Sequence, residues 1–255
     1  MQSASLYREL TATSVFNSLG PFSMNIVVLT GAGLSQESGL PTFRGAGGWW
    51  QGHQATELAT PQAFARNPKL VLDFYNERRR KLQSPEIQPN AAHFALAQFQ
   101  SRPRNGTLTL VTQNVDDLLE RAGCRNVIHM HGELLKARSL DTDEVFDWRD
   151  DIDVDTPHPG GGPKSGRLRP HIVWFGEQPL HLVEIFSALT NCDLFIAIGT
   201  SGVVWPAAGF VQEVPKRCRC VELNMEETPV SSYFHEQRLG PASQIVPEFL
   251  STLDT

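Results

Sequence analysis

Residues Asn25 to Trp50 read NIVVLTGAGLSQESGLPTFRGAGGWW, and the rest of the chain has to be arranged around them. Ile26 to Leu29 is a short apolar run rich in β-branched side chains. It is too short for a helix and predicts a buried strand. Gly31, Ala32 and Gly33 interrupt it. Glycines at that point let the backbone turn sharply and approach a ligand, and the N–H groups that follow suit a pyrophosphate, so the turn predicts a dinucleotide. The redox fingerprint would place a third glycine at position 36, where this chain has Gln36. Ser35, Ser38-Gly39, Pro41, Phe43-Arg44-Gly45 and Trp49-Trp50 instead continue as a polar, glycine-punctuated loop able to close over a cofactor. A plain strand-turn-helix is the alternative for this stretch.

Outward from that loop, Thr60-Pro61 caps a helical pattern running to about Leu82, and Asn90 caps a second helix. Strands are expected at Thr107 to Thr112, Val127 to Met130, Leu194 to Ile198 and Cys220 to Leu223, with a helical DLLERAG after the second of the site turns. Such alternation predicts an α/β fold, a Rossmann-like parallel sheet with helices on both faces. Four strands end in TGAG, TQNVD, IGTSG and LNME, and ligands bind beyond the carboxyl ends of parallel strands, so all four turns are expected on one edge. From Leu140 to Arg169 acidic residues crowd together before TPHPGGGPKSG, which predicts a small loop-rich insertion at about 134–170. Residues 1–23 form an N-terminal extension to a domain spanning 24–255, with no continuous apolar core of the kind a signal peptide needs.

The composition sets bounds on function. Twenty-eight acidic against 22 basic residues give a formal charge of −6, which argues against nucleic acid as principal partner. No apolar run approaches the roughly 18 residues of a membrane span. Four cysteines (Cys124, Cys192, Cys218, Cys220) do not make a disulfide scaffold, and a reducing cytoplasm is expected. No cysteine lies between Arg125 and Asn191, and Cys218-Arg219-Cys220 stands alone at the start of a strand, so no metal site is expected.

His131 is the candidate base: it follows a strand, precedes Gly132, and carries the side chain that exchanges protons near neutrality. His129, on the same face of that strand, competes with it. Asn114 and Asp116 alternate at a strand end and can point together into the cleft, although Asp116 could equally cap the following helix. Tyr75 and Arg78 are three apart, share a helical face and suit a small carboxylate. On charge pattern alone, Arg78 to Lys81 would be a solvated basic run.

Together GAGLSQESGLPTFRGAGGWW, TQNVD, HMHGE, RPHIVWFGE, GTSGVVWPAAGF and VELNMEE, in this order, closely resemble the sirtuins, the NAD-dependent protein-lysine deacylases, from about Met24 to the C-terminus. FYNERRRKLQSPEIQPNAAH looks most like the bacterial class III branch, whose Tyr-x-x-Arg reads acidic acyl groups and maps onto Tyr75 and Arg78. The resemblance implies NAD contacts from Gly31, Ala32, Gly33, Ser35, Phe43, Arg44 and Trp50, and a nicotinamide-ribose pocket from Gln113, Asn114, Val115 and Asp116. It implies an adenosine site from Gly199, Thr200, Ser201, Asn224, Met225, Glu226 and Ala242, with His131 as general base. Val173, Trp174, Phe175 and Gly176 would pair with the backbone of an acyl-lysine peptide. The implied chemistry removes acetyl, succinyl or malonyl groups from lysine and yields nicotinamide and O-acyl-ADP-ribose, in a monomeric enzyme. The chain departs from the family where four zinc cysteines are usual, and a zinc-free enzyme is expected. Protein ADP-ribosyl transfer and a non-catalytic NAD sensor are the alternatives.

Overall fold

A computed structural model describes residues 24–42, 55–102, 105–161 and 168–254. The N-terminal extension and Phe43, Arg44 and Trp50 lie outside the described residues. In chain order the described elements are β1 (Ile26–Thr30), α1 (Ala55–Leu58), α2 (Pro61–Arg66), α3 (Pro68–Leu82), α4 (Ala91–Ser101), β2 (Leu108–Thr112), α5 (Leu118–Arg121), β3 (Ile128–His129), β4 (Gly132–Ser139), β5 (Val145–Asp147), β6 (Leu168–Ile172), α6 (Leu182–Thr190), β7 (Leu194–Ile198), α7 (Phe210–Glu213), β8 (Arg219–Asn224), β9 (Glu236–Leu239) and α8 (Ala242–Ser251).

Six strands form one parallel sheet in the order β3-β2-β1-β7-β8-β9. The apolar run of β1 serves both faces. Ile26 and Val28 pack with Leu96, Phe99, Val246 and Phe249 of α4 and α8, while Val27 and Leu29 pack on the other side with Ile185 and Leu189 of α6 and Phe210 of α7. Two-sided burial is why the strand reads as a continuous apolar run and not as an alternating one.

The expected long helix from Thr60 is two helices. Thr60 Oγ1 accepts from Ala63 N at 3.0 Å to start α2, and Asn67 Oδ1 accepts from Leu70 N at 3.1 Å to start α3. Pro68 cannot donate to a preceding turn, so the chain restarts there. Asn90 and His93 form a reciprocal capping box at α4, as the Asn90 cap predicts.

The insertion is more regular than its composition suggests. β4, β5 and β6 make an antiparallel sheet, and it packs against α2 and α3 through Phe64, Val71, Leu72, Leu134, Ala137, Leu168 and Trp174. The small module is thus assembled from two separate parts of the chain. Asn76 clamps it, accepting from Ile152 N and donating to Ile152 O, both at 2.9 Å. Arg79, wholly buried, donates to Asn76 Oδ1 at 2.8 Å and to Leu134 O at 3.0 Å.

The cysteine reading also needs correcting. Cys192, Cys218 and Cys220 gather in one buried cluster at the amino ends of β7 and β8, because the parallel register sets Leu194 beside Arg219 and so brings the residues before each together.

Candidate active site

The order of the sheet reverses between β1 and β7, and the turns after these strands interlock there. Gly31 N donates to Ile198 O at 2.9 Å and Gly33 N to Gly199 O at 2.8 Å. A Cβ on Gly33 would stand 2.7 Å from Gly199 Cα, and one on Gly199 2.5 Å from Leu34 N. Gly199 also has φ +59°, a region L side chains rarely occupy. Among the described residues no acceptor takes the N–H of Ala32, Thr200 or Ser201. Three free donors on two turns at a switch point form a cradle that fits a diphosphate.

Side chains tie the remaining strand ends to that cradle. Gln113, following β2, donates from Nε2 to Thr200 Oγ1 at 2.8 Å, and Asn224, ending β8, donates to Thr200 O at 2.8 Å. All four predicted turns therefore share one rim. Met225 and Glu226 are exposed beyond it, whereas Ala242 is buried at the start of α8. The first turn of that helix is taken by Glu37, which accepts from Ser243 N at 2.8 Å and Ser243 Oγ at 2.7 Å.

Beneath the rim a chain of hydrogen bonds has a defined direction. Asn90 N donates to His93 Nδ1 at 3.2 Å, so the hydrogen of His93 is on Nε2, which faces Ser35 Oγ at 3.4 Å. Burial pulls His93 down to about 4, keeping it neutral. Asn114 Nδ2 also donates to Ser35 Oγ at 3.2 Å and to Gly31 O at 3.1 Å. With two donors on its oxygen, Ser35 gives its own hydrogen to Asp116 Oδ2 at 2.9 Å. Asp116 Oδ1 accepts from Leu118 N at 3.1 Å, so this carboxylate does help start α5. Burial pushes it up to about 6. Asn114 and Asp116 thus converge on Ser35. Sequence reasoning misses His93, for which its capping-box position is the one available signal.

The two histidines divide clearly. His129 Nε2 lies 2.8 Å from Glu120 Oε1; although burial opposes it, the Glu120 carboxylate raises His129 above its usual value. His131 stands where the chain leaves the parallel sheet for the small module, at a turn only glycine can follow: Gly132 has φ +83° and a Cβ there would lie 2.0 Å from His171 O. His131 Nδ1 sits 3.0 Å from Gln113 O. A carbonyl only accepts, so Nδ1 carries the hydrogen and Nε2 keeps its lone pair. Burial holds the ring below the usual imidazole value, favouring that neutral form.

On α3, Tyr75 and Arg78 are both buried, and the solvated-run reading fails for Arg78 and Arg79 while holding for Arg80 and Lys81. The last two are surface ion pairs with Asp151 and Glu86. The Arg78 guanidinium lies 3.2 Å from the centroid of the Phe74 ring and donates to Phe74 O at 2.8 Å. In the 173–176 segment the side chain of Trp174 turns inward and donates to Tyr75 Oη at 3.0 Å. The three N–H groups of Val173, Trp174 and Phe175 are held by His131 O, Glu177 Oε2 and Ala59 O at 2.9, 2.8 and 2.9 Å.

The Sir2 family profile matches residues 31–206. The chain belongs to the Sir2 family. An NAD-dependent protein deacylase of Rhodopirellula baltica is 55% identical to this Sir2-family protein over 234 residues, 89% of this chain and 98% of the relative. An Escherichia coli protein of the same description is 55% identical over 230 residues, 89% of this chain and 81% of its own. Among solved structures, a Sir2 homologue bound to ADP-ribose superposes with TM-score 0.81 at 38% identity, covering 90% of this chain and 91% of that one. A Sir2 homologue–NAD complex does so with TM-score 0.80 at 38% identity, covering 90% and 89%. The parallel sheet and separate antiparallel sheet of the Sir2-family protein are the architecture these relatives share.

The small module of this Sir2-family protein differs in composition from the cysteine-bearing one that the resemblance implies. That module contains no cysteine, and among the described residues no three His, Cys, Asp or Glu side chains gather as ligands. The segment between its β5 and β6 is pinned by the Asn76–Ile152 clamp and by the edge-on packing of His158 against Phe146, 4.9 Å between ring centres.

Proposed function

We propose that this chain is an NAD-dependent protein-lysine deacylase that removes acetyl and acidic acyl groups, succinyl and malonyl. The observation that carries the reading is the placement of His131: its Nδ1 is fixed to Gln113 O at 3.0 Å on the rim shared by the Gly31 and Gly199 turns, leaving Nε2 as the accepting nitrogen. NAD, when bound, would supply an electrophilic ribose carbon for the acyl oxygen with nicotinamide as leaving group, and water would then release the free lysine, leaving the acyl group on ADP-ribose.

The chain's own residues supply the rest. Gly31, Ala32, Gly33, Thr200 and Ser201 would hold the diphosphate, with Gly199 permitting the close turn. Gln113, Asn114, Val115 and Asp116 would line the nicotinamide and ribose, and Asn224, Met225 and Glu226 the adenosine, with Ala242 beneath. Ser35 orients both Asn114 and Asp116. His131 would accept the proton of a ribose hydroxyl. Phe43, Arg44 and Trp50 would close the cofactor loop, and Val173 to Gly176 would meet the peptide.

A base must be neutral to act. Because burial lowers His131 from 6.5, its neutral form persists as pH falls through that value. The acid limb of kcat/KM is therefore expected below pH 6.5, and a limb at about 7 or above would contradict the assignment.

For the acyl group, the reading rests on Tyr75 and Arg78, buried side by side on one helical face. Burial brings Arg78 down to about 10, so it stays charged at neutral pH. Arg78→Met is expected to lower desuccinylation by about 10- to 100-fold, the worth of hydrogen bonds to a charged group. Deacetylation should change by only about 2-fold. Equal losses on matched acetyl- and succinyl-lysine peptides would remove the pocket assignment.

A further inference from the structure

Trp174 is held on every side. Its ring stands 3.3 Å from the Arg169 guanidinium and 5.2 Å from the Phe64 ring centre. Arg169 is itself fixed by a two-pronged pair with Glu177, at 2.6 and 2.9 Å, and by Ile172 O at 2.6 Å. Glu177 in turn accepts from Trp174 N at 2.8 Å and lies 3.7 Å from Arg138. The indole cannot rotate without breaking this set.

What it does there follows from the inventory of donors. An indole N–H donates and never accepts, so in the 3.0 Å contact Tyr75 Oη must be the acceptor. The phenol's own hydrogen then has to point elsewhere, and among the described residues it has no acceptor. Burial raises the Tyr75 phenol well above its ordinary value, so the hydrogen stays in place, although Arg169 and Arg78 oppose that rise. A fixed donor beside a buried guanidinium lacks only an anionic acceptor.

We infer that Trp174 is a positioning residue for acyl selection: it occupies one side of the Tyr75 hydroxyl so that the hydroxyl donates to the carboxylate of an acidic acyl group. A neutral acetyl group presents no such acceptor and gains nothing from the arrangement. This rests on the acidic-acyl pocket formed by Tyr75 and Arg78. The plain alternative is that Trp174 is a core residue whose N–H merely finds a partner.

Trp174→Phe separates the two when read against Tyr75→Phe: it keeps an aromatic ring at Arg169 and removes the N–H together with part of the indole's volume, and the double variant accounts for the lost volume. The full chain is assayed with NAD and matched acetyl- and succinyl-lysine peptides. The succinyl-to-acetyl ratio of kcat/KM is expected to fall about 3- to 10-fold, the selective loss appearing in KM for the succinyl peptide and not in its kcat. In a Tyr75→Phe background, Trp174→Phe should have no further effect. Parallel losses on both peptides, or a Trp174→Phe effect that persists without the Tyr75 hydroxyl, would overturn the inference and leave the pocket standing. A Tyr75→Phe variant with an unchanged succinyl-to-acetyl ratio would instead bring down the pocket reading, and the inference with it.

Discussion

His131→Asn is expected to lower kcat/KM for deacylation by about 10²- to 10⁴-fold, the range that a positioned general base contributes. Asparagine can still donate to Gln113 O, so the turn between β3 and β4 keeps its anchor, but it offers no group that takes a proton near neutrality. The loss should therefore fall on the chemical step. NAD affinity measured by calorimetry is expected to stay within about 3-fold, and the thermal midpoint to stay unchanged. The contrast with His129 sharpens this. That ring is committed to Glu120 at 2.8 Å, so His129→Asn should act on stability. A His131→Asn enzyme with ordinary turnover would remove the imidazole from the mechanism.

Gly199→Ala is expected to weaken NAD binding by more than about 10-fold and to destabilise the fold by about 2–5 kcal/mol. Two costs add: a left-handed backbone that alanine resists, at about 1–2 kcal/mol, and an overpacked contact at about 1–3 kcal/mol. The contact involves backbone, with the new Cβ 2.5 Å from Leu34 N and 2.7 Å from Gly33 C, so no side chain can swing aside. Gly161→Ala is the control. Gly161 has φ +65°, but an added methyl group would meet nothing within 4 Å, so it should carry only the backbone cost and leave NAD affinity alone. If both variants bind NAD equally well, the interlocked turns are not the nucleotide cradle.

How far the sequence leads depends on where each element is buried. β1 and β7 are legible almost to the residue because both of their faces are covered, which forces an unbroken apolar run. β9, Glu236–Leu239, is an edge strand with alternating half-exposed and exposed residues, and EQRL carries no such run. β4 escapes for a related reason: GELLKARS shields one face only and is interrupted by a bulge between Glu133 and Ala137. The break at Asn67-Pro68 is written in the chain, but the apolar spacing across it masks the restart.

The site divides in the same way. The four glycine-rich or polar turns are readable because parallel topology sends every strand's carboxyl end to one edge, a rule that needs no side-chain contact. Contacts between distant side chains are not. Ser35 meets Asp116 across the turns after β1 and β2, and Trp174 meets Tyr75 across 99 positions through the packing of the small module on α3. The motif around Trp174 assigns its backbone to the peptide, and nothing in it signals that the indole turns inward to donate to Tyr75.

The central claim is that one imidazole on a rim of interlocked turns directs an acyl group from lysine to the nucleotide. Its most direct test is to incubate the protein with NAD labelled in the ADP-ribose half and an acyl-lysine peptide, and to follow where the label goes. Label recovered as O-acyl-ADP-ribose, in step with nicotinamide and free lysine and dependent on His131, is the predicted result. Label retained on protein, or nicotinamide release indifferent to the acyl-lysine peptide, would contradict it.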